Sequence, residues 1–369
     1  MGEKMQNVIR SNAVQYTLLI GFVIIQIGLL AINISLLTSQ KVIAPLGDDS
    51  LTLISSPDPS DQDSETSDAE PIQQDIADSQ SISLAGQTLY VDPTSQAANA
   101  LQDLTLGSEE HTLIYSIASQ PQATWFGEWN PDITSDVDTL VSVAHDQDQV
   151  PVLVLYNIPV RDCFGHSEGG VASADLYRDW IDRVAVGIND RKALIILEPD
   201  ALPLMNCLDT AQQETRYQLL SYAVETLASE NVWVYLDAGH PTWIAPQEIA
   251  DRLEKANISQ ARGFSLNVSN FAPADTVSTY GNQISEILAG KPYVIDTSRN
   301  GNGSPIDGSW CNPPEMALGK TPTFDTNNPL LDAYLWVKRP GESDGECNGG
   351  PSAGTWWPEY ALELVRNSR

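Results

Sequence analysis

Ionisable side chains follow directly after a series of short apolar runs in this chain of 369 residues. The carboxyl-bearing members of the series are Asp162, Asp200, Asp237, Asp296, Glu342 and Asp344. Two carboxyl groups that share a site can act as general acid and general base, because each changes the pKa of the other. Asp also caps helices, but capping would account for one or two of these positions rather than for the whole series. The pattern therefore indicates carboxyl chemistry.

The apolar runs before these residues are typical of strands buried on both faces, because they are continuous rather than alternating. The predicted strands are Thr112–Ile117, Val152–Tyr156, Leu194–Leu197, Val232–Leu236, Phe264–Val268, Tyr293–Ile295 and Tyr334–Val337. The stretches predicted as helices between them include Ala174–Val186, Thr210–Ala228 and Pro246–Lys255. This alternation predicts a parallel α/β fold. In a β/α barrel the carboxyl ends of the strands meet on one face, so the ionisable residues should converge there.

The net charge and the absent motifs exclude several classes of protein. The chain has 49 Asp and Glu against 19 Lys and Arg, a formal charge of −30, whereas a general nucleic-acid-binding protein needs a cationic surface. No Gly-x-Ser-x-Gly motif marks a nucleophilic serine, and no glycine-rich phosphate loop follows a strand. The four cysteines lack the close spacing of a zinc site. We expect neither a metal nor a cofactor.

The four cysteines indicate two disulfides in an exported domain, for which three connectivities are possible. Cys163 and Cys207 bracket one strand–helix unit, and Cys311 and Cys347 bracket the last one. We expect pairing within each bracket.

Tryptophans are numerous, with nine in the chain. Those close to the predicted strand ends are Trp125, Trp243 and Trp310, whereas Trp180, Trp233 and Trp336 are better explained as core residues. A flat indole can cover the apolar face of a sugar ring while carboxylates and amides bind its hydroxyl groups. Carboxyl pairs combined with tryptophans therefore favour glycoside hydrolysis.

The polar segments form seven motifs in a definite order. They read Tyr-Asn-Ile-Pro-x-Arg-Asp-Cys, Ile-Leu-Glu-Pro-Asp, Tyr-Leu-Asp-Ala-Gly-His, Asn-Val-Ser-Asn, Asp-Thr-Ser-Arg-Asn-Gly, Trp-Cys-Asn-Pro-Pro and Leu-Trp-Val-Lys-x-Pro-Gly-Glu-x-Asp-Gly. In this order they resemble glycoside hydrolase family 6, the cellulases that include endo-β-1,4-glucanases and cellobiohydrolases. The resemblance implies a distorted seven-stranded parallel β/α barrel, two disulfides and hydrolysis with inversion.

The resemblance also implies catalytic roles. Asp200 resembles the general acid that protonates the leaving oxygen, and Asp162 resembles the neighbour whose charge raises the pKa of that acid. Tyr156 resembles the tyrosine beneath the distorted sugar ring. Asp344 resembles the disputed candidate for the base. Family accounts also invoke a water chain, for which Ser167 is the nearest candidate, although Glu168 stands where a serine would be expected.

The remaining site residues are implied to bind or support. Lys338 and Glu342 resemble residues that bind sugar hydroxyl groups, and Asp237 resembles a carboxylate that supports the site without transferring a proton. The implied sugar platforms are Trp125, Trp243 and Trp310. His240 and Asn270 follow predicted strands and are further candidates for substrate contacts.

Three segments are expected along the chain. Residues 1–40 contain a long apolar stretch after Lys4 and Arg10 and are predicted to be a signal anchor, or alternatively a cleaved signal peptide. Residues 41–85 are predicted to be an acidic Ser-, Asp- and Pro-rich disordered linker. Residues 86–369 are predicted to form the catalytic domain. The expected location is outside the cell, tethered to the membrane or secreted.

The short segments after the last strands predict an open cleft and internal cleavage of a β-1,4-glucan by a monomeric enzyme. Two alternatives remain at this point. The protein could be a cellobiohydrolase acting from chain ends, or a catalytically idle glucan-binding protein on the same scaffold. Retention of Tyr156, Asp162, Asp200 and Asp344 together favours an enzyme over an idle relative.

Overall fold

The computed structural model describes Leu84 and residues 86–368, and its centre is a sheet of seven parallel strands that neighbour one another in chain order. The strands are β1 (Thr124–Phe126), β2 (Val152–Leu155), β3 (Ala193–Leu197), β4 (Val232–Asp237), β5 (Gly263–Leu266), β6 (Tyr293–Asp296) and β7 (Leu331–Leu335). The backbone N–H of Ala123 donates to Trp336 O at 3.0 Å, which links the two edges of the curled sheet. The predicted parallel α/β fold with seven strands is confirmed.

Helices connect most of these strands. The α-helices are α1 (Gln96–Ala100), α2 (Glu109–Ala118), α3 (Ile133–Asp146), α4 (Ala174–Ile188), α5 (Thr210–Leu227), α6 (Pro246–Lys255), α7 (Ala274–Ile287) and α8 (Pro358–Asn367). Parallel neighbours need a crossover connection, and α3 to α7 supply it between successive strands from β1 to β6. The connection from β6 to β7 runs without an α-helix through residues 297–330. This long segment contributes one wall of the site described below.

The predicted first strand, Thr112–Ile117, is wrong, because these residues lie inside α2. Ser108 caps this helix by accepting a hydrogen bond from His111 N–H, and two glutamates occupy its first turn. Leu113, Ile114 and Ile117 are buried, and their spacing of one, three and four residues is that of one helix face. The first strand is instead β1, which is only three residues long.

Burial on both faces explains why the other strands were recognisable. Every residue of β2 to β6 is buried. Within β3, Ile195 and Leu197 belong to a buried cluster that includes helix residues. Leu194 and Ile196 belong to a second cluster, formed mainly by residues of the other strands. The last strand begins three residues earlier than predicted and leaves Trp336 and Val337 in the segment that follows it.

The disulfides join Cys163 to Cys207 and Cys311 to Cys347, which is the pairing expected from the brackets. The predicted membrane or signal segment of residues 1–40 lies outside the described residues, as does the predicted linker apart from Leu84. Across residues 86–368, the helices are too short or too polar to cross a bilayer.

Candidate active site

A cleft of about 1070 Å³ opens at the carboxyl ends of the strands. The predicted site residues that line it are Trp125, Tyr156, Asp162, Ser167, Asp200, His240, Trp243, Asn270, Trp310, Lys338, Glu342 and Asp344. Asp237 lies beneath this surface and is 1% exposed. The ends of a curled parallel sheet converge, so Trp125 and Asp344, which are 219 positions apart in sequence, share one cleft.

Several residues just after the strands adopt the left-handed backbone conformation. They are Asp162, Glu198, Asp200, Asn267 and Ser269, with φ between 49° and 68°. Residues other than glycine rarely adopt this backbone conformation. Where they do, surrounding interactions must hold the backbone in place. Such strained residues cluster at functional sites, which is consistent with a site at this edge of the sheet.

Asp200 and Asp237 form the centre of the site. The backbone N–H of Asp200 donates to Asp237 Oδ2 at 2.9 Å, and Ser265 Oγ donates to Asp237 Oδ1 at 3.1 Å. Burial raises the pKa of Asp200 well above its usual range, and the charges of Asp237 and Asp162 raise it further. Burial also raises the pKa of Asp237 to about 6. Asp200 is therefore a carboxyl group that keeps its proton to unusually high pH.

Asp162 lies on the loop after β2 and is held by the backbone of its own loop. Its Oδ2 accepts a hydrogen bond from Ser167 N–H at 2.6 Å. Burial raises the pKa of Asp162, opposed by the Ser167 N–H and by the charge of Arg161. The charge of Asp162 adds to the pKa of Asp200, but burial and Asp237 contribute more. Asp237 thus shares the electrostatic role that the resemblance implies for Asp162.

Tyr156 forms the floor of the cleft between an indole and a guanidinium. Trp125 meets its ring edge to face at a centroid distance of 5.3 Å, and the Arg161 guanidinium lies 4.6 Å from the ring centroid. Trp125 is itself fixed, because its indole N–H donates to Val337 O at 2.9 Å. The other predicted platforms, Trp243 and Trp310, are 39% and 52% exposed, so their faces are accessible to a ligand.

Asp344 is engaged by two cations in a buried setting. Its carboxylate lies 2.7 Å from Arg299 Nη1 and 3.2 Å from Lys338 Nζ, and it also accepts Asn312 N–H at 3.0 Å. Burial alone would raise the pKa of Asp344, but the charges of Arg299 and Lys338 outweigh it and hold the pKa below its usual range. Asp344 is therefore an ionised carboxylate with low proton affinity.

Glu342 and His240 also line the cleft. Glu342 forms an ion pair with Arg339 at 2.7 Å and accepts a hydrogen bond from Gln96, while burial raises its pKa. Burial lowers the pKa of His240 to about 4, so its imidazole is neutral at physiological pH. A neutral ring can exchange hydrogen bonds with hydroxyl groups but adds no charge to the site.

Sequence reasoning missed three residues that position the site. Arg299 holds Asp344, Arg161 stacks on Tyr156, and Glu198 accepts hydrogen bonds from the N–H groups of Asn157 and Ile158. All three lie within the quoted motifs. The available signal was the position of each residue directly after an apolar strand, although it does not identify the partner of each side chain.

Buried carboxyl groups beside accessible indoles are the combination expected in a hydrolase that acts on sugars. The model of the family described as glycosyl hydrolases family 6 matches residues 84–368. The chain belongs to this family, as its motifs indicated.

Individual relatives agree with this assignment. Endoglucanase A of Cellulomonas fimi is 45% identical over 282 residues, which cover 76% of this chain and 61% of that protein. Endoglucanase 1 of Streptomyces halstedii is 42% identical over 286 residues, covering 75% of this chain and 88% of that protein. The solved structure of the endoglucanase Cel6 from Mycobacterium tuberculosis, in complex with a thio-linked cellobioside, superposes with a TM-score of 0.74. It is 44% identical and is covered over 98% of its length, against 77% of this chain.

Proposed function

We propose that the protein is an endo-β-1,4-glucanase that hydrolyses internal bonds of cellulose or related β-glucans with inversion. The observation that carries the proposal is Asp200, whose pKa is raised by burial and by two neighbouring carboxylates in a cleft that exposes tryptophans. The relatives from Cellulomonas fimi and Streptomyces halstedii, both named endoglucanases, support this substrate class.

In the proposed mechanism, Asp200 donates its proton to the leaving glycosidic oxygen. Asp162 and Asp237 keep that proton in place, because departure of the proton would put three negative charges close together. Tyr156 supports the sugar ring at the bond that breaks. A water molecule then attacks the anomeric carbon from the opposite face, which inverts its configuration.

The assignment of the base follows from the cations around Asp344. A carboxylate with a lowered pKa is a weak proton acceptor, so we assign Asp344 to electrostatic stabilisation of the site rather than to direct proton removal. We assign Lys338 and Glu342, which line the cleft beside it, to the binding of sugar hydroxyl groups. The attacking water passes its proton through further water molecules along the loop that carries Asp162 and Ser167, and from there to bulk solvent. The hydrogen bond from Ser167 N–H to Asp162 Oδ2 fixes the shape of that loop.

Internal cleavage is supported by the accessible rim of the cleft. Trp243, Trp310 and the fully exposed Ile306 face solvent, so a long glucan can enter from the side. The test is to follow viscosity and reducing ends together on carboxymethylcellulose. Viscosity that falls well before reducing ends accumulate supports endo action. Reducing ends that accumulate before viscosity falls indicate a cellobiohydrolase. If neither viscosity nor the number of reducing ends changes, the protein is an idle glucan-binding protein. NMR should show the α-anomer as the first product.

We also propose the division into a signal anchor or signal peptide (1–40), a linker (41–85) and a catalytic domain (86–369), with a monomeric enzyme outside the cell. The apolar stretch after Lys4 and Arg10 supports export with the basic end in the cytoplasm. The two disulfides support an oxidising compartment. Fractionation of expressing cells tests the tether, since an anchored chain stays with membranes after a carbonate wash and a cleaved one appears in the medium.

A further inference from the structure

Trp129 is an exposed aromatic residue of the cleft to which no role has been assigned so far. It follows β1 by three residues, lines the cleft and is 49% exposed. Its exposure resembles that of Trp243 and Trp310 rather than that of the core tryptophans Trp180 and Trp233. A large apolar ring that faces solvent inside a ligand cleft is a candidate contact surface.

The protein holds this ring in one place from behind. A Cβ added at Gly127 would come within 2.5 Å of the Trp129 ring, so the ring lies directly against the backbone there. The Arg161 guanidinium lies 5.3 Å from the ring centroid. Arg161 is fixed in turn by an ion pair with Glu128 and by a hydrogen bond to Ser167 O at 2.8 Å. A ring fixed in this way loses little conformational freedom when it binds a ligand.

Trp129 is also connected to the floor of the cleft. The same Arg161 guanidinium lies 4.6 Å from the Tyr156 ring, and Trp125 contacts the Tyr156 ring at 5.3 Å. Trp125, Tyr156, Arg161 and Trp129 therefore form a continuous series of flat groups along the β1 and β2 side of the cleft.

We propose that Trp129 is a further sugar platform, which binds a glucosyl unit of a longer β-glucan beyond the units that flank the scissile bond. The inference rests on the proposed function for its ligand class. Its physical basis is the apolar face of the pyranose ring, whose C–H groups pack against the indole while the hydroxyl groups stay in water. A platform beyond the units that flank the scissile bond should matter for long oligosaccharides and not for short ones.

The test measures binding directly, so that it does not depend on turnover. Cellotriose and cellohexaose are titrated by calorimetry into the full chain carrying Asp200→Ala, alone and combined with Trp129→Ala or Trp129→Phe. We expect Trp129→Ala to weaken cellohexaose binding by about fivefold to tenfold and to leave cellotriose binding unchanged. Trp129→Phe, which keeps a flat ring, should restore most of the loss. Tyr115→Ala, an exposed aromatic of α2 away from the cleft, is the matched control.

Three results would overturn the platform. In the first, Trp129→Ala leaves the affinities for cellotriose and cellohexaose unchanged. In the second, Trp129→Ala weakens the binding of both oligosaccharides by the same factor, which would mean that Trp129 only holds Arg161. Absence of cellohexaose binding by the parent also contradicts it. Length-dependent loss of binding in a chain whose wild type cleaves no glucan would leave the platform standing and remove the proposed hydrolysis.

Discussion

The backbone N–H of Asp200 donates a 2.9 Å hydrogen bond to Asp237 Oδ2, which ties the proton-bearing residue of the cleft to a buried carboxylate. The same carboxylate accepts Ser265 Oγ–H from the neighbouring strand β5. One contact therefore does two things. It holds Asp200 in its left-handed backbone conformation, and it keeps a negative charge close enough to raise the pKa of Asp200.

Substitution of Asp237 by Asn tests this electrostatic link. Asn has the same shape and its Oδ1 can still accept the Asp200 N–H, but the charge is gone. Because kcat/KM requires protonated Asp200, a lower pKa of Asp200 moves the alkaline limb of the pH profile to lower pH. We expect a displacement of about one pH unit, measured on soluble carboxymethylcellulose.

Asp162→Asn is the matched comparison for that experiment. Its charge raises the pKa of Asp200 less than that of Asp237 does, so its alkaline limb should move in the same direction by a smaller amount. An unchanged alkaline limb in Asp237→Asn, in a variant that melts as the wild type does, would contradict the link.

Glu198 should make stability depend on pH. Burial raises its pKa from 4.5 to about 7 in the folded protein. The folded chain then binds this proton more tightly than the unfolded chain, so the stabilisation is complete below pH 4.5 and is lost as pH rises through 7. Glu198→Gln should flatten this decline in the free energy of unfolding by about 3 kcal/mol.

Urea unfolding between pH 4.5 and 8 measures the effect of Glu198, with the exposed Glu230→Gln as control. Asp237, whose pKa is also raised, to about 6, should leave a residual slope in the same direction. Parallel curves for wild type and Glu198→Gln would refute the assignment of this decline to Glu198.

Loss of the buried ion pair between Arg299 and Asp344 should lower the free energy of unfolding more than loss of the pair between Arg178 and Asp175. Arg299 is 0% exposed and also donates to Ser269 O, so Arg299→Met leaves a buried carboxylate with Lys338 as its remaining cation. We expect the free energy of unfolding to fall by about 3 kcal/mol, and to recover in part when Asp344→Asn is added. Arg178→Met, which breaks a pair with the 97% exposed Asp175, should cost less than about 1 kcal/mol. Equal losses in the two single variants would show that burial does not strengthen the Arg299 pair.

Much of the fold could be predicted because its strands are buried on both faces. Continuous runs such as Leu194–Leu197 carry that signal in the residues themselves. β1 carries almost none, since three residues form no run, and α2 was misread because a six-residue apolar segment does not distinguish a strand from one face of a helix.

The site divides in the same way. The positions after strands predict that one cleft contains Asp162, Asp200 and Asp344. The partnership of Arg299 with Asp344 spans 45 residues and depends on how the sheet curls, and no local pattern reports that. Trp129 gave no signal either, because its exposure results from the turn after a strand that was not recognised.

The central claim, that Asp200 is the general acid, is tested most directly by comparing Asp200→Ala with wild type on two substrates. On carboxymethylcellulose, whose leaving group needs a proton, we predict a loss of kcat/KM of at least about 10²-fold. On an aryl β-cellotrioside with an acidic phenol as leaving group, the loss should be much smaller. Unchanged activity on carboxymethylcellulose, or an equal loss on both substrates, would contradict the account.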